Sequence, residues 1–441
     1  MIDISSNHIT TLINQGPMSG TQKLVVAFAI VLHMLDGFDI LVMSFTATDI
    51  SATWGLSDSQ LGLLLSSGLI GMALGSVFLA PLADKFGRRN LILLSLSFIT
   101  AGMLLSSVSQ NMVLFAVMRL LTGFGIGGIL VNLNVITAEF TSDKWRTLCL
   151  TLFASGYPLG AILSGGIAVI LIADFGWRAV FLFGGICSGV MIPMVYLLLP
   201  ESLDYLLGQR RPGTLEKVNK LLGRMGHQPI NDLPELPVAD ANKESKLRQL
   251  FSPNIRRSTL LFWIAIFAVL FNFYFVMSWT PRLLTAAGLS AEQGISGGVA
   301  LNLGGIIGSL TLGYLAAFLN LQRLIAVFML LAIVFTVAFS QFYTELIIAL
   351  VLATGIGCML NAAVAGLFAL GPSLYPVSIR STGMGWAIGI GRLGALISPI
   401  VAGSLLDRGW ETASLYNLFA VSLLISMISI CIIKRAVPQA P

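Results

Sequence analysis

Twelve apolar runs, each long enough to cross a membrane, constrain this chain more than any other feature of it. They fall at about 23–46, 60–82, 89–108, 113–138, 146–172, 178–199, 258–280, 293–317, 322–341, 345–371, 381–405 and 412–433. At about 1.5 Å rise per residue, some twenty helical residues span a hydrocarbon core of about 30 Å. Lipid offers no partners to backbone N–H and C=O groups, so apolar runs of this length fold as helices. The composition agrees, with 56% hydrophobic residues and only 10% charged, whereas soluble domains carry roughly 25% charge. The fold class expected is all-α integral membrane, with twelve transmembrane helices.

The one long polar segment, 201–257, holds ten of the 25 Lys and Arg and five prolines. It reads as a cytoplasmic linker between an N-terminal six-helix half, 1–200, and a C-terminal six-helix half, 258–441. With the N-terminus inside, 20 of the basic residues face the cytoplasm. Three, Arg178, Arg282 and Arg408, face outward, and Arg119 and Arg392 lie within spans. This asymmetry follows the positive-inside rule. It places both termini in the cytoplasm of a multi-pass plasma-membrane protein, a bacterial inner membrane being the expected setting. The net charge of +5 is thus topological and does not point to nucleic acid. The polar stretch 1–22 has no cleavable signal pattern, so the first helix is expected to be retained. The four cysteines stand singly, without metal or redox spacing, and read as small apolar side chains.

The two halves repeat. Gly75-Ser76-x-x-Leu79-x-x-Leu82-Ala83 recurs as Gly308-Ser309-x-x-Leu312-x-x-Leu315-Ala316, and Thr122-Gly123-x-Gly125 as Thr354-Gly355-x-Gly357. Leu159-Gly160-Ala161 recurs as Leu393-Gly394-Ala395, and Asp174-x-Gly176-Trp177 as Asp407-x-Gly409-Trp410, the offsets running from 232 to 234. A duplicated six-helix unit places a transport pathway at the interface of the halves, with its site near the midplane.

Charges inside lipid mark that site. Asp36 and Asp39 interrupt the first span, and each carboxylate in hydrocarbon costs about 2.5–3.5 kcal/mol on the insertion scale. Spaced i,i+3, they share a helix face. Asp39 lies about 24 Å from the inner end of its helix and Arg119 about 9 Å from the outer end of the fourth, which gives them similar depth. An Asp39–Arg119 pair would break when Asp39 takes a proton, which couples protonation to a change in structure. A static buried pair is the plainer alternative. Arg392 lies about 17 Å into the eleventh helix, where a guanidinium suits a carboxylate ligand or an acid of the first helix. Asn132, Tyr157, Asn272 and Tyr274 are the preferred cavity-lining candidates, ahead of Asn134, Phe273, Asn302 and Asn361. Aromatic faces among them suit a planar acid. His33 reads as a bystander and Trp279 as an interfacial anchor. Gly389-x-Gly391-x-x-Gly394 lies within a span and is no dinucleotide site, and no Walker A sequence is present.

The run Gly75 to Leu82-Ala83-Asp84-Lys85-Phe86-Gly87-Arg88-Arg89, with Pro200-Glu201-Ser202-x-x-Tyr205-Leu206, resembles the loop signatures of the major facilitator superfamily. Asp36-Gly37-Phe38-Asp39 and Ser278-Trp279-Thr280-Pro281, with Gly288-Leu289-Ser290, look like motifs of the aromatic acid:proton symporter family. The chain departs from that family near Thr48, where a proline is usual, and has Ala317 where the first half has Asp84. The resemblance implies the major facilitator fold and ion pairs at the inner ends of the helices. Asp84, Arg88, Arg89, Glu139, Arg146 and Glu201 are the candidates for that cytoplasmic gate. Asp84 is expected to cap the next helix or to meet Arg146 and Glu139, and such pairs make a bistable latch.

The expected protein is a secondary active transporter, not an enzyme. It takes up a small organic acid, an aromatic carboxylate by resemblance, with protons and by alternating access. Arg392 and Arg119 would face the anion, while Asp39 and Asp36 carry protons. No cofactor or metal is called for, the partners are the organic anion, protons and membrane lipid, and a monomer is expected. The rival readings are a transporter of a neutral solute such as a sugar, and a transporter-like membrane sensor.

Overall fold

A computed structural model describes residues 17–209, 213–233, 249–253, 255–376 and 379–433. Both chain ends and much of the linker, where the charge pattern sets the topology, lie outside them. Every regular element among the described residues is helical, and twelve helices are long and apolar enough to cross a membrane. They are α1 (Gly20–Phe45), α2 (Asp58–Phe86), α3 (Arg88–Ser107), α4 (Met112–Glu139), α5 (Asp143–Phe175) and α6 (Trp177–Leu198). The second six are α7 (Arg256–Ala286), α8 (Ala291–Leu315), α9 (Leu321–Phe342), α10 (Leu346–Leu374), α11 (Thr382–Asp407) and α12 (Thr412–Ile432).

Hydropathy located these helices and polar caps set their ends. Asn111 accepts from the Leu114 N–H to start α4, Asn320 starts α9, and Ser290 with Gln293 forms a capping box at α8. Pro158, Pro193, Pro281 and Pro399 sit inside α5, α6, α7 and α11. Neighbouring helices make such interruptions tolerable in lipid. The signature stretch of α2 is irregular. A wide turn at Gly75–Leu79 and a tight one at Ala80–Leu82 precede its last turn, around Pro81, which lacks an N–H.

The chain forms two compact units that cut across single helices. The first holds the described residues of Met1–Asp39, Ile70–Gly160 and Phe181–Ala241. In it α3 packs on α4, and two short linker helices, Leu203–Gln209 and Thr214–Arg224, belong to it. The second holds Ile40–Leu69, Ala161–Val180 and the described residues from Asn242 onward. Here α7 packs on α11 and α12, α8 on α10, and α9 on α12. The ends of α1, α2 and α5 that the charge pattern puts outside are therefore part of the unit that contains α7–α12. Inner and outer below follow that pattern.

Candidate functional site

Within the first unit, the middle of α1 is pressed against α5. A Cβ on Gly37 would lie 2.0 Å from the Tyr157 carbonyl oxygen, so only glycine fits between the two aspartates. The close approach fixes the rotation of α1. Asp36 and Asp39, 5% and 2% exposed, both line a small cavity with Leu32, Ile99, Ile126 and Ser188. Its volume is about 10 Å³, near the lower bound for a single water.

Asp39 and Arg119 meet, as their depths predicted. Arg119 Nη1 lies 3.3 Å from Asp39 Oδ1, and Nη2 donates to the Asp39 backbone carbonyl at 2.9 Å. The guanidinium, 3% exposed, also contacts Met103 Sδ at 3.1 Å and lies 5.5 Å from the Phe181 ring centroid. Asp39 Oδ2 and Arg119 Nε are buried without hydrogen-bond partners. A buried pair built for stability satisfies its remaining donors and acceptors. This one keeps a carboxylate oxygen open to a proton.

One turn inward, His33 joins the same face. Its Nε2 lies 3.7 Å from Asp36 Oδ2, its Nδ1 is 2.7 Å from the Phe153 carbonyl, and its ring stacks on Phe153 at 4.4 Å. A carbonyl can only accept, so Nδ1 carries a hydrogen and Nε2 faces Asp36. His33 is an integral member of the cluster rather than the bystander expected. Tyr157, half-buried, lies with its ring 6.0 Å from that of His33.

A second cluster of the first unit lies at the inner ends. Arg88 pairs with Glu139 at 2.5 Å, and the Ser202 hydroxyl donates to Glu139 Oε2 at 2.7 Å. Glu201 Oε1 accepts from the backbone N–H groups of Arg89, at 3.1 Å, and Ser202, at 2.9 Å. Asp84 does not hold the N-cap position of α3. Gly87, at φ 98°, holds the N-cap position without a side-chain cap, Asp84 is exposed, and the anion at that N-terminus is Glu201. Arg146 pairs with Asp143 of its own helix, at 2.8 Å, and Glu139 with Arg88. Arg89 also donates to the Tyr196 carbonyl. The cluster thus ties the α2–α3 loop to the inner ends of α4 and α6.

In the second unit Arg392 is half-buried on α11, between two points where that helix meets α7. A Cβ on Gly391 would lie 2.7 Å from Leu270, and one on Gly394 2.5 Å from the Phe267 carbonyl oxygen. Tyr274 is half-buried and packs edge-on against Phe273, 5.5 Å between centroids. Asn272, expected to line a cavity, is enclosed, and its Oδ1 is buried without a hydrogen-bond partner. It is 0% exposed and donates to the Phe419 carbonyl at 2.8 Å, bracing α7 against α12. Asn132, Asn302 and Asn361 each donate to the carbonyl of the glycine four residues back in their own helix. One donor of each amide is thus engaged within its own helix. Trp279, expected at the membrane surface, is fully buried.

The same unit contains contacts that nothing in the sequence singled out. The Asp407 carboxylate accepts from the N–H groups of Asp58, at 2.9 Å, and Ser59, at 3.0 Å, capping α2 from the end of α11. Arg282 lies 3.8 Å from Asp58. The Ser66 hydroxyl donates to Leu396, and that of Ser44 to Met277 and Ser278. A Cβ on Gly403 would lie 2.2 Å from the Asp58 carbonyl oxygen, which shows how closely the outer ends of α2 and α11 are joined.

The sequence model described as Major Facilitator Superfamily matches residues 26–370. The chain belongs to this superfamily. It is 32% identical over 426 residues to the 4-hydroxybenzoate transporter PcaK of Acinetobacter baylyi, covering 95% of this chain and 92% of that one. It is 30% identical over 411 residues to the gallate transporter of Pseudomonas putida, covering 93% and 91%. Among solved structures the D-xylose–proton symporter superposes with a TM-score of 0.73 at 16% identity, over 94% of this chain and 98% of that one. That likeness is one of fold. As a superfamily member with transporters for relatives, the chain is a membrane transporter and not an enzyme.

The sequence carried faint signals for the residues it did not single out. Asp407 stood in a noted repeat, Asp-x-Gly-Trp, that said nothing of a helix N-terminus. Ser44 and Ser278 share a position in the duplication. His33 was visible as the third polar residue of one α1 face.

Proposed function

We propose that the protein is a proton-coupled importer of an aromatic carboxylate, working by alternating access. The observation that carries this reading is the buried Asp39–Arg119 pair, in which Asp39 keeps one carboxylate oxygen without a hydrogen-bond partner and lines a small cavity with Asp36. Protonation of Asp39 removes the Coulomb attraction and releases Arg119. Asp36, with His33 beside it, is a second proton-accepting group. Arg392 receives the substrate carboxylate, and half-buried Tyr157 and Tyr274 offer aromatic faces to the ring. The aromatic acids named for the relatives support the substrate class.

The two six-helix halves, 1–200 and 258–441, act as the moving bodies around linker 201–257, with both termini in the cytoplasm. The α2–α11 cap at Asp407, the Arg282–Asp58 contact and the Ser44 bonds form the outer closure, which separates when the site faces outward. The inner cluster around Glu139 and Glu201 keeps the inner end of the first half rigid, so that the half moves as one body.

Proteoliposomes with an imposed inward proton gradient test the reading. Labelled 4-hydroxybenzoate should accumulate against its own gradient, xylose should not, and a protonophore should collapse the accumulation. Equal uptake of the sugar favours a neutral-solute carrier. Binding without accumulation favours a sensor.

A further inference from the structure

The linker helix Thr214–Arg224 is amphipathic. Val218, Leu221 and Leu222 are buried, while Lys217, Lys220 and Arg224, at i, i+3 and i+7, lie exposed along one stripe. The Thr21 hydroxyl bonds the Arg224 carbonyl at 3.0 Å, which holds the end of this helix at the start of α1. The basic stripe borders a cleft of about 270 Å³ within the first unit. Arg89 supplies a fourth cation, and its Nε is buried without a hydrogen-bond partner. Glu201, the one acid among the described residues lining the cleft, already accepts from two backbone N–H groups. Among the described residues, four cations therefore border a space whose one carboxylate is engaged.

The other wall is apolar, with Leu197, Leu199 and Pro200 from the inner end of α6. It runs onto an exposed apolar surface, Tyr196 at 61% and Leu197 at 71%, where a membrane helix meets lipid. A free phosphate or a nucleotide would use the cations and leave that wall uncovered. A phospholipid uses both, its phosphate among the cations and its glycerol and first acyl carbons against the leucines. We propose that this cleft binds the headgroup of an anionic phospholipid of the inner leaflet. The bound lipid would neutralise Arg89 beside the Glu201 cap of α3 and so fasten the inner cluster. The cleft is separate from the proposed proton and acid groups, and its failure would leave the transport reading intact.

The full-length protein in phosphatidylcholine nanodiscs, with and without fluorescent phosphatidylglycerol, tests the proposal. Wild type should retain the labelled lipid in preference to labelled phosphatidylcholine. Neutralising the stripe together (Lys217→Gln, Lys220→Gln, Arg224→Gln) should weaken that retention by at least about tenfold. Its melting temperature in phosphatidylcholine should stay unchanged. Lys220→Glu alone should weaken retention by a smaller factor, which keeps the test open should the triple variant fold poorly. Excess inorganic phosphate should leave the labelled lipid in place. Equal retention by wild type and both variants overturns the proposal, and so does displacement by phosphate, which would make the cleft a site for soluble anions.

Discussion

The duplication offers a controlled comparison between α1 and α7. Phe38-Asp39 and Phe271-Asn272 correspond at offset 233, and residues 42–46 match 276–280 at offset 234 with Phe45 replaced by Trp279. The same turn of helix carries different chemistry in the two copies. In α1 the carboxylate of Asp39 meets Arg119 at 3.3 Å and keeps an oxygen free. In α7 the amide of Asn272 donates to the Phe419 carbonyl at 2.8 Å and is wholly enclosed, its Oδ1 buried without a partner. The positions corresponding to Arg119 are Val351 and Leu352, so the duplication supplies no matching cation there. Arg392 reverses the pattern, since its first-half counterpart is Pro158. Copying preserved the helices and divided the charges, leaving a buried Asp–Arg pair in one half and an arginine within a span, Arg392, in the other.

The largest effect should come from making α1 chemically like α7. Asp39→Asn removes the titratable group and leaves its volume. We expect accumulation of labelled acid under a proton gradient to fall to background, while exchange of internal for external acid persists. The acceleration of uptake on acidifying the outside should disappear with it. Proton-driven accumulation at the wild-type level would place the coupling group elsewhere. Arg119→Ala should be at least as damaging, since it strands a buried carboxylate, and a loss of folded protein would accompany it.

Arg392→Ala addresses the other side of the division. Hydrogen bonds to charged groups contribute about 1.5–3 kcal/mol, so the KM for the acid should rise about tenfold to 150-fold. Arg392→Lys should recover part of this, because it restores the charge without the bidentate fork. An unchanged KM in the alanine variant would assign Arg392 to structure instead of substrate.

These contrasts show what was legible in the sequence. Asp36, Asp39 and Arg119 announced themselves because charge in lipid is expensive and helical rise converts residue number into depth. The twelve helices were readable for the same physical reason, as lipid leaves the backbone no other way to satisfy itself. The bonds of Asn272 and Asn132 were not legible, because an amide in a span can donate to a carbonyl on its own or a neighbouring helix, which hydropathy does not reveal. The true cap of α3 was hidden because Glu201 lies more than a hundred residues from Arg89, whereas Asp84 is adjacent and looked the part. Asp407 was invisible for a further reason. Its partners are backbone N–H groups, and a sequence does not show which distant helix will present them.

Asn272 itself should matter to stability and little to transport. Asn272→Ala removes one interhelical hydrogen bond, worth about 0.5–1.5 kcal/mol. The Phe419 carbonyl keeps the Ser422 hydroxyl as a donor, which favours the lower end. A modest fall in melting temperature with KM unaltered is the expected result. Asn272→Asp should be worse, placing a carboxylate in an enclosed site for which the duplication supplies no matching cation, and low yields of folded protein would report it. A rise in KM without loss of stability in the alanine variant would return Asn272 to the substrate site.

The smallest effect concerns the outer caps, where the two copies differ again. Asp407 caps α2, while Asp174, its counterpart, is exposed and the matching helix α8 is capped by its own Ser290 and Gln293. Of the two related helix N-termini, one is capped by a charge from the other half of the sequence and the other by its own residues. An exposed carboxylate at a helix N-terminus contributes about 0.3–1 kcal/mol. Asp407→Asn should therefore shift the population toward the outward-open form by about two- to fivefold. Ser66→Cys gives a reporter, because residue 66 is fully buried beside Leu396 in the closed outer end. Its labelling by an impermeant thiol reagent added outside should accelerate by that factor when Asp407→Asn is combined with it, against the same protein carrying Ser66→Cys alone. Asp174→Asn should leave the rate unchanged, since no cap is lost. Equal rates in all three would mean that the α2 cap holds a local turn and not the outer closure.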